Sequence, residues 1–167
     1  MTSMAKTELP KRKMPKLTMK TEGDLYIVVT RRFAAPPDAV YRAHTDPTLL
    51  QKWLLGPEGW TMPVCICDPR PGGQMRFEWA HARHGKFHLT GEYLELQPPN
   101  KIVHVERMHL PDPTPDNHVE TRFEADGEGT LITIRMSLPD PQTRAQMLAT
   151  NMEQGMEASY ARLDGIL

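Results

Sequence analysis

Hydrophobic and polar side chains alternate along several short stretches of this chain, which is typical of β-strands with one buried face. The clearest case is GQMRFEWAH, residues 73–81, where Met75, Phe77 and Trp79 share one face and polar side chains occupy the other. These stretches end at clusters of proline, glycine, aspartate and asparagine, which favour turns. The pattern predicts about seven strands, at residues 24–33, 60–68, 73–81, 87–96, 101–110, 118–125 and 130–138.

Three other stretches have the helical period. The prolines of AAPPD suit a helix entrance, so the sequence predicts a short helix at about 37–45. The stretch PTLLQKWLL opens a second short helix at 47–55. Residues 140–167 predict one long helix. Its apolar stripe consists of Leu148, Met152, Met156, Tyr160 and Leu163.

Consecutive antiparallel strands with one long closing helix indicate an α+β layer arrangement, with the two short helices following the first strand. The apolar face of such a sheet needs a cover, and the C-terminal helix is the one predicted element long enough to provide it. A curved sheet around a helix leaves a gap between them. That gap is either a packed core or a ligand cavity.

Composition sets the domain organisation and the class of protein. At 167 residues the chain fits one domain, which we place at residues 24–167. Residues 1–23 carry six Lys and Arg against two Glu and predict a flexible basic N-terminal arm. The net charge of −1 gives no bulk argument for binding nucleic acid or an anionic membrane. With two cysteines and no signal-type or membrane-spanning apolar run, we expect a cytoplasmic protein.

Five segments match, in order, the motifs of one superfamily. They are VVTRRFAAPPDAVYRAHTDPTLLQKWL, CDPRPGGQMRFE, TGEYLELQPPNKIVHV, EGTLITI and EQGMEASYARL. On these segments the chain resembles the START-related, helix-grip superfamily, often called SRPBCC. Within it, the chain is similar to single-domain proteins related to the C-terminal domain of the activator of the 90-kDa heat-shock protein ATPase. The resemblance implies a helix-grip fold over residues 24–167, with a curved antiparallel sheet packed on the C-terminal helix.

The resemblance also implies a function, which is the binding of a small lipophilic molecule in an apolar cavity between the sheet and the helix, without a cofactor. Aromatic and methionine side chains at the predicted inward positions suit such a cavity. The family usually has Trp after the glycine of the last helix, where this chain has Met156, so the ligand preference of relatives does not carry over. The candidate ligand-binding residues are Trp53, Met75, Phe77, Trp79, Phe87, Leu89, Tyr93, Met152, Met156 and Tyr160.

Two alternative functions stay open. One is a chaperone-associated interaction protein, as the resemblance to the ATPase activator implies. The other is a cavity enzyme of cyclase or lyase type. Its weak candidates are His104 and Glu106, which share one strand face and could exchange protons inside a cavity. No set of nucleophile, base and orienting group supports catalysis. Whether the chain is a monomer or a homodimer is also open.

The stretch HARHGKFH, residues 81–88, raises the question of a metal site because it contains His81, His84 and His88. Cys65 and Cys67 lie upstream with C-x-C spacing. Zinc needs three or four ligands in a fixed geometry, and neither an H-E-x-x-H nor a C-x-x-C spacing supports these residues. We interpret the histidines as part of a hairpin tip and predict no metal.

Overall fold

The protein is described by a computed structural model over residues 17–167. Within these residues, eight strands and four helices follow one another. The strands are β1 (Thr18–Glu22), β2 (Tyr26–Phe33), β3 (Trp60–Cys67), β4 (Gln74–His81), β5 (Gly85–Gln97), β6 (Lys101–His109), β7 (Asn117–Asp126) and β8 (Gly129–Ser137). The helices are α1 (Pro37–Thr45), α2 (Pro47–Trp53), α3 (Pro141–Leu148) and α4 (Met152–Asp164).

All eight strands form one curved antiparallel sheet, in the order β1-β2-β8-β7-β6-β5-β4-β3. The neighbours from β3 to β8 are consecutive in sequence, so each pair is a simple hairpin or short connection. The alternation read from 73–81 is confirmed, because Met75, Phe77 and Trp79 are 5%, 7% and 7% exposed. The predicted α+β fold, with a sheet packed on a C-terminal helix, is therefore confirmed.

The N-terminal boundary differs from the prediction. Strand β1, Thr18–Glu22, pairs with β2 and lies within the range 1–23 that was predicted as a flexible arm. Leu17, just before it, is buried in the core. The described part of that range is therefore an edge strand, and the sheet has eight strands rather than about seven. Residues 1–16 lie outside the described residues, so the basic arm stays a prediction for them.

The C-terminal helix also differs, because it is two helices rather than one. The helical conformation is interrupted between α3 and α4, where the backbone of Asn151 is left-handed with φ of 59°. Asparagine tolerates this conformation better than most residues. Helix α3 has its own N-cap, since the Asp140 carboxylate accepts a hydrogen bond from the backbone N–H of Thr143 at 2.7 Å. The long covering helix is thus α4 alone.

The core lies between the inner face of the sheet and the helices α1, α2 and α4. Trp53 at the end of α2 is almost fully buried, and its indole N–H donates to the Ala43 carbonyl at 2.9 Å. This bond ties α2 to α1 while satisfying a polar atom that burial would otherwise leave unpaired. Within residues 17–167, no helix is long and apolar enough to cross a membrane.

Helix α4 is fastened to the sheet by an ion cluster around Arg31 of β2. Arg31 is 3% exposed, and its guanidinium donates to Glu157 at 3.1 Å and to Asp164 at 2.8 Å. Glu157 also accepts the backbone N–H of Leu17 at 3.0 Å. A buried guanidinium needs such partners, because an uncompensated charge in the interior is costly. The cluster fixes α4 relative to β2 and to the start of the described chain.

Candidate functional site

A cavity of about 160 Å³ lies between the inner face of the sheet and the helices α1, α2 and α4. The sheet wall comes from alternate residues of adjacent strands, because period two places them on the same face. Ile102 of β6, Val119 of β7 and Ile134 of β8 are examples, each no more than 5% exposed. The helices supply the opposite wall. The wall of the cavity is therefore mainly apolar, and the cavity is partly open to solvent.

Most of the predicted ligand-binding residues line this cavity. They are Trp53, Met75, Phe77, Tyr93, Met156 and Tyr160. The weak catalytic candidates His104 and Glu106 line it too, on β6. Their shared strand face, predicted from the i, i+2 spacing, is therefore the inner face of the sheet.

The other four predicted residues lie outside the cavity wall. Trp79 is buried, and its indole N–H donates to the Leu54 carbonyl at 2.8 Å. Its ring stacks on Phe87 with ring centroids 4.9 Å apart. Leu89 and Met152 pack in or against the core without reaching the cavity. Trp79, Phe87 and Leu89 share the inner face but stand farther along their strands, towards the β4–β5 turn.

His44 of α1 lines the cavity and was not predicted. Its Nδ1 lies 2.7 Å from the Val40 carbonyl oxygen, so in the neutral ring Nδ1 carries the proton and donates it. Its Nε2 is buried, and no group among residues 17–167 is hydrogen-bonded to it. The imidazole packs against Trp53 and Phe123, with centroids 4.9 and 5.1 Å away. Burial lowers the pKa of His44 to about 4, so the ring is neutral near pH 7.

The polar part of the cavity lies on β6 and α4. His104 Nε2 is 3.7 Å from Glu106 Oε2, a distance at which the two groups interact electrostatically but share no good hydrogen bond. Tyr160 of α4 faces the same space, and its ring stacks near Trp53 at 5.6 Å. Burial raises the pKa of the Tyr160 hydroxyl, which therefore keeps its proton. The cavity thus offers a phenol donor and a carboxylate acceptor inside an apolar wall.

The cysteines and the hairpin histidines lie in separate environments in the described chain. Cys65 and Cys67 are both half-buried on one face of β3, and burial raises the pKa of Cys65 to about 12, which keeps this thiol protonated. At the β4–β5 turn, His81 Nδ1 accepts the backbone N–H of Arg83 at 3.0 Å. His88 points elsewhere and stacks on His109 at 4.2 Å. Across residues 17–167, no three His, Cys, Asp or Glu side chains converge as metal ligands.

This architecture defines a START-related helix-grip domain with an internal cavity. More narrowly, the chain belongs to the family described as activator of Hsp90 ATPase homolog 1-like protein, whose model matches residues 34–167. A comparison with curated proteins found no match.

Solved structures share the fold over most of both chains. A protein from Rhodobacter sphaeroides is 27% identical, with a TM-score of 0.84 over 90% of this chain and 97% of its own. One from Chromobacterium violaceum is 29% identical, with a TM-score of 0.71 over 85% of this chain and 96% of its own. A third, from Mycobacterium smegmatis, is 22% identical with a TM-score of 0.81 over 90% and 95%, and shows the fold alone.

Proposed function

We propose that this protein binds a small lipophilic molecule in the cavity between the sheet and α4. The observation that carries the proposal is a mainly apolar, partly open space of about 160 Å³. An engineered apolar cavity of about 150 Å³ holds benzene, so a ligand the size of one aromatic ring fits here. Family membership supports the proposal, since the fold suits ligand binding.

The side chains of the cavity wall also support a role in ligand binding. Met136 and Met156 line the space, and their flexible thioethers adapt to ligands of different shape.

Native mass spectrometry and thermal unfolding test the proposal, with toluene as the probe. At a hundredfold excess over its Kd, a ligand stabilises the fold by about 2.7 kcal/mol, which raises Tm by about 5–10 °C in a chain of this size. Val119→Phe fills the cavity and should abolish the shift. Val103→Phe is the matched control, since Val103 stands on the outer face of the neighbouring strand and should leave it unchanged. A gently purified protein that shows no adduct, together with no toluene shift, would sink the proposal.

The family description favours a second proposal, that the protein binds a chaperone. The name refers to an activator of the Hsp90 ATPase, so stimulation of that ATPase by the full chain is the direct assay. A rate unchanged at excess protein, with no complex in size-exclusion chromatography, would remove this proposal. It would leave the cavity proposal untouched. Both functions suit the cytoplasm, where a reducing environment keeps Cys65 and Cys67 as thiols.

A further inference from the structure

The hydroxyl of Tyr160 has no hydrogen-bond partner among residues 17–167, although neighbouring rings hold its own ring in place. Tyr160 is 5% exposed, lines the cavity, and meets the ring of Phe33 edge-on at 5.5 Å as well as that of Trp53. Within the described chain no residue is hydrogen-bonded to this hydroxyl. Its oxygen is nevertheless not among the buried polar atoms that lack a hydrogen-bond partner. Those atoms are Tyr41 Oη, His44 Nε2, His104 Nδ1 and Asn117 Oδ1. The Tyr160 hydroxyl is therefore open to the space it lines.

Glu106 supplies an acceptor in the same space. Its carboxylate has one polar neighbour in the cavity wall within 4 Å, His104 Nε2, at 3.7 Å. Glu106 and Tyr160 line the same cavity, and Glu106 adds to the rise in the pKa of the phenol that burial causes. Arg31 opposes that rise, but Glu157 and Asp164 already neutralise its charge. The polar part of the cavity thus offers a carboxylate acceptor and a phenol donor in the same wall.

We propose that the ligand of this cavity is a molecule of one-ring size that carries a hydroxyl or amine head, held by the Tyr160 hydroxyl and the Glu106 carboxylate. The hydroxyl of an alcohol or phenol accepts from Tyr160 and donates to Glu106. An amine donates to both oxygens. This inference rests on the proposed function and specifies the chemical class of its ligand.

Two other ligand classes fit this geometry poorly. A hydrocarbon would cover the Tyr160 hydroxyl and the Glu106 carboxylate without bonding to either, and burying unsatisfied polar groups weakens binding about tenfold to a hundredfold. A carboxylic acid would place a second negative charge beside Glu106, where like charges repel in a low-dielectric site. The arrangement therefore selects against both.

Four probes of similar size separate these classes: toluene, benzyl alcohol, benzylamine and benzoate. Dissociation constants are measured by calorimetry on the full chain, with thermal unfolding as a check that each variant folds. Transfer from water favours toluene, so a purely apolar cavity would bind benzyl alcohol at least tenfold more weakly. We expect benzyl alcohol and benzylamine to bind as tightly as toluene or more tightly, and benzoate to bind most weakly.

Three variants assign the effect to the named groups. Tyr160→Phe should weaken the binding of benzyl alcohol about tenfold and change the dissociation constant of toluene by no more than about twofold. Glu106→Gln should weaken benzylamine about tenfold, because it removes the charge and keeps the shape. Tyr26→Phe is the matched control. Tyr26 lies on the outer face of the sheet, so this substitution should leave the dissociation constants of benzyl alcohol and benzylamine unchanged.

The outcomes distinguish this inference from the proposed function. Suppose that toluene binds at least tenfold more tightly than benzyl alcohol and that Tyr160→Phe leaves the ratio of the two dissociation constants unchanged. The inference of a polar head group is then wrong, whereas the proposal of a lipophilic binding site is retained. Tightest binding by benzoate would also overturn the inference. If none of the four probes binds, the proposed function itself fails.

Discussion

Replacing His44 with Phe should make the protein less sensitive to acid. In the folded state burial lowers the pKa of His44 to about 4, whereas an unfolded histidine titrates near 6.5. Above pH 6.5 the ring is neutral in both states and contributes no pH dependence. Between pH 6.5 and 4 the unfolded chain takes up a proton that the folded chain does not. The free energy of unfolding therefore falls by about 1.4 kcal/mol per pH unit, or about 3 kcal/mol in all.

The assay is urea unfolding at pH 7, 6, 5 and 4 for the wild type, His44→Phe and His118→Phe. At pH 7 the His44 variant should lie within about 1 kcal/mol of wild type, because it loses the bond to Val40 but also removes the unpaired Nε2. At pH 4 it should be about 3 kcal/mol more stable. His118 is exposed, so its variant should follow the wild-type curve. Parallel curves for wild type and His44→Phe would refute the reasoning, since other acidic groups titrate alike in both.

Five further substitutions test the packing by thermal and urea unfolding. Arg31→Met should cost about 3 kcal/mol by leaving Glu157 and Asp164 beside a buried apolar chain, whereas Arg122→Met, from an exposed pair, should cost under about 1 kcal/mol. Gly91→Ala should destabilise, since its Cβ would stand 2.3 Å from the Val105 carbonyl oxygen; Gly155→Ala in α4 has open space and should stabilise by about 1 kcal/mol. Met156→Trp should raise stability by about 1 kcal/mol while abolishing the toluene shift, because it fills the cavity. Equal effects within either pair, or a toluene shift kept in the Trp variant, would contradict these expectations.

The strands with one buried face were predictable because their alternation follows directly from backbone geometry. The stretch 73–81 is strand Gln74–His81, and 130–138 is strand Gly129–Ser137. Strand β1 gave no such signal. It is an edge strand whose side chains are mostly exposed, so no apolar alternation marks it. The break before α4 was hidden because the apolar stripe continues from Leu148 to Met152 in helical phase across it.

The cavity wall could be predicted only in part. Periodicity assigned Met75 and Tyr93 to the inner face, and both line the cavity. Periodicity also assigned Trp79 to this face, but the cavity ends before Trp79. The extent of the cavity depends on how the helices pack on the sheet. The burial of His44 could not be predicted from the sequence. The pattern of a short amphipathic helix is the same whether a histidine ring is exposed to solvent or packed against Phe123. Tertiary packing decides these cases.

Helix α4 links the stability of the domain to the chemistry of its cavity. It carries Tyr160, whose hydroxyl we infer to hold the ligand head, and it is fixed to β2 through Arg31. Arg31 is absent from the cavity wall, so its ion pairs affect a ligand indirectly, by fixing where Tyr160 stands and through the charge near its phenol. Arg31→Met should then weaken benzyl alcohol more than toluene, because a directional hydrogen bond depends on geometry more steeply than apolar contact does. A loss of affinity equal for both probes would mean that the ion cluster closes the cavity without orienting the phenol.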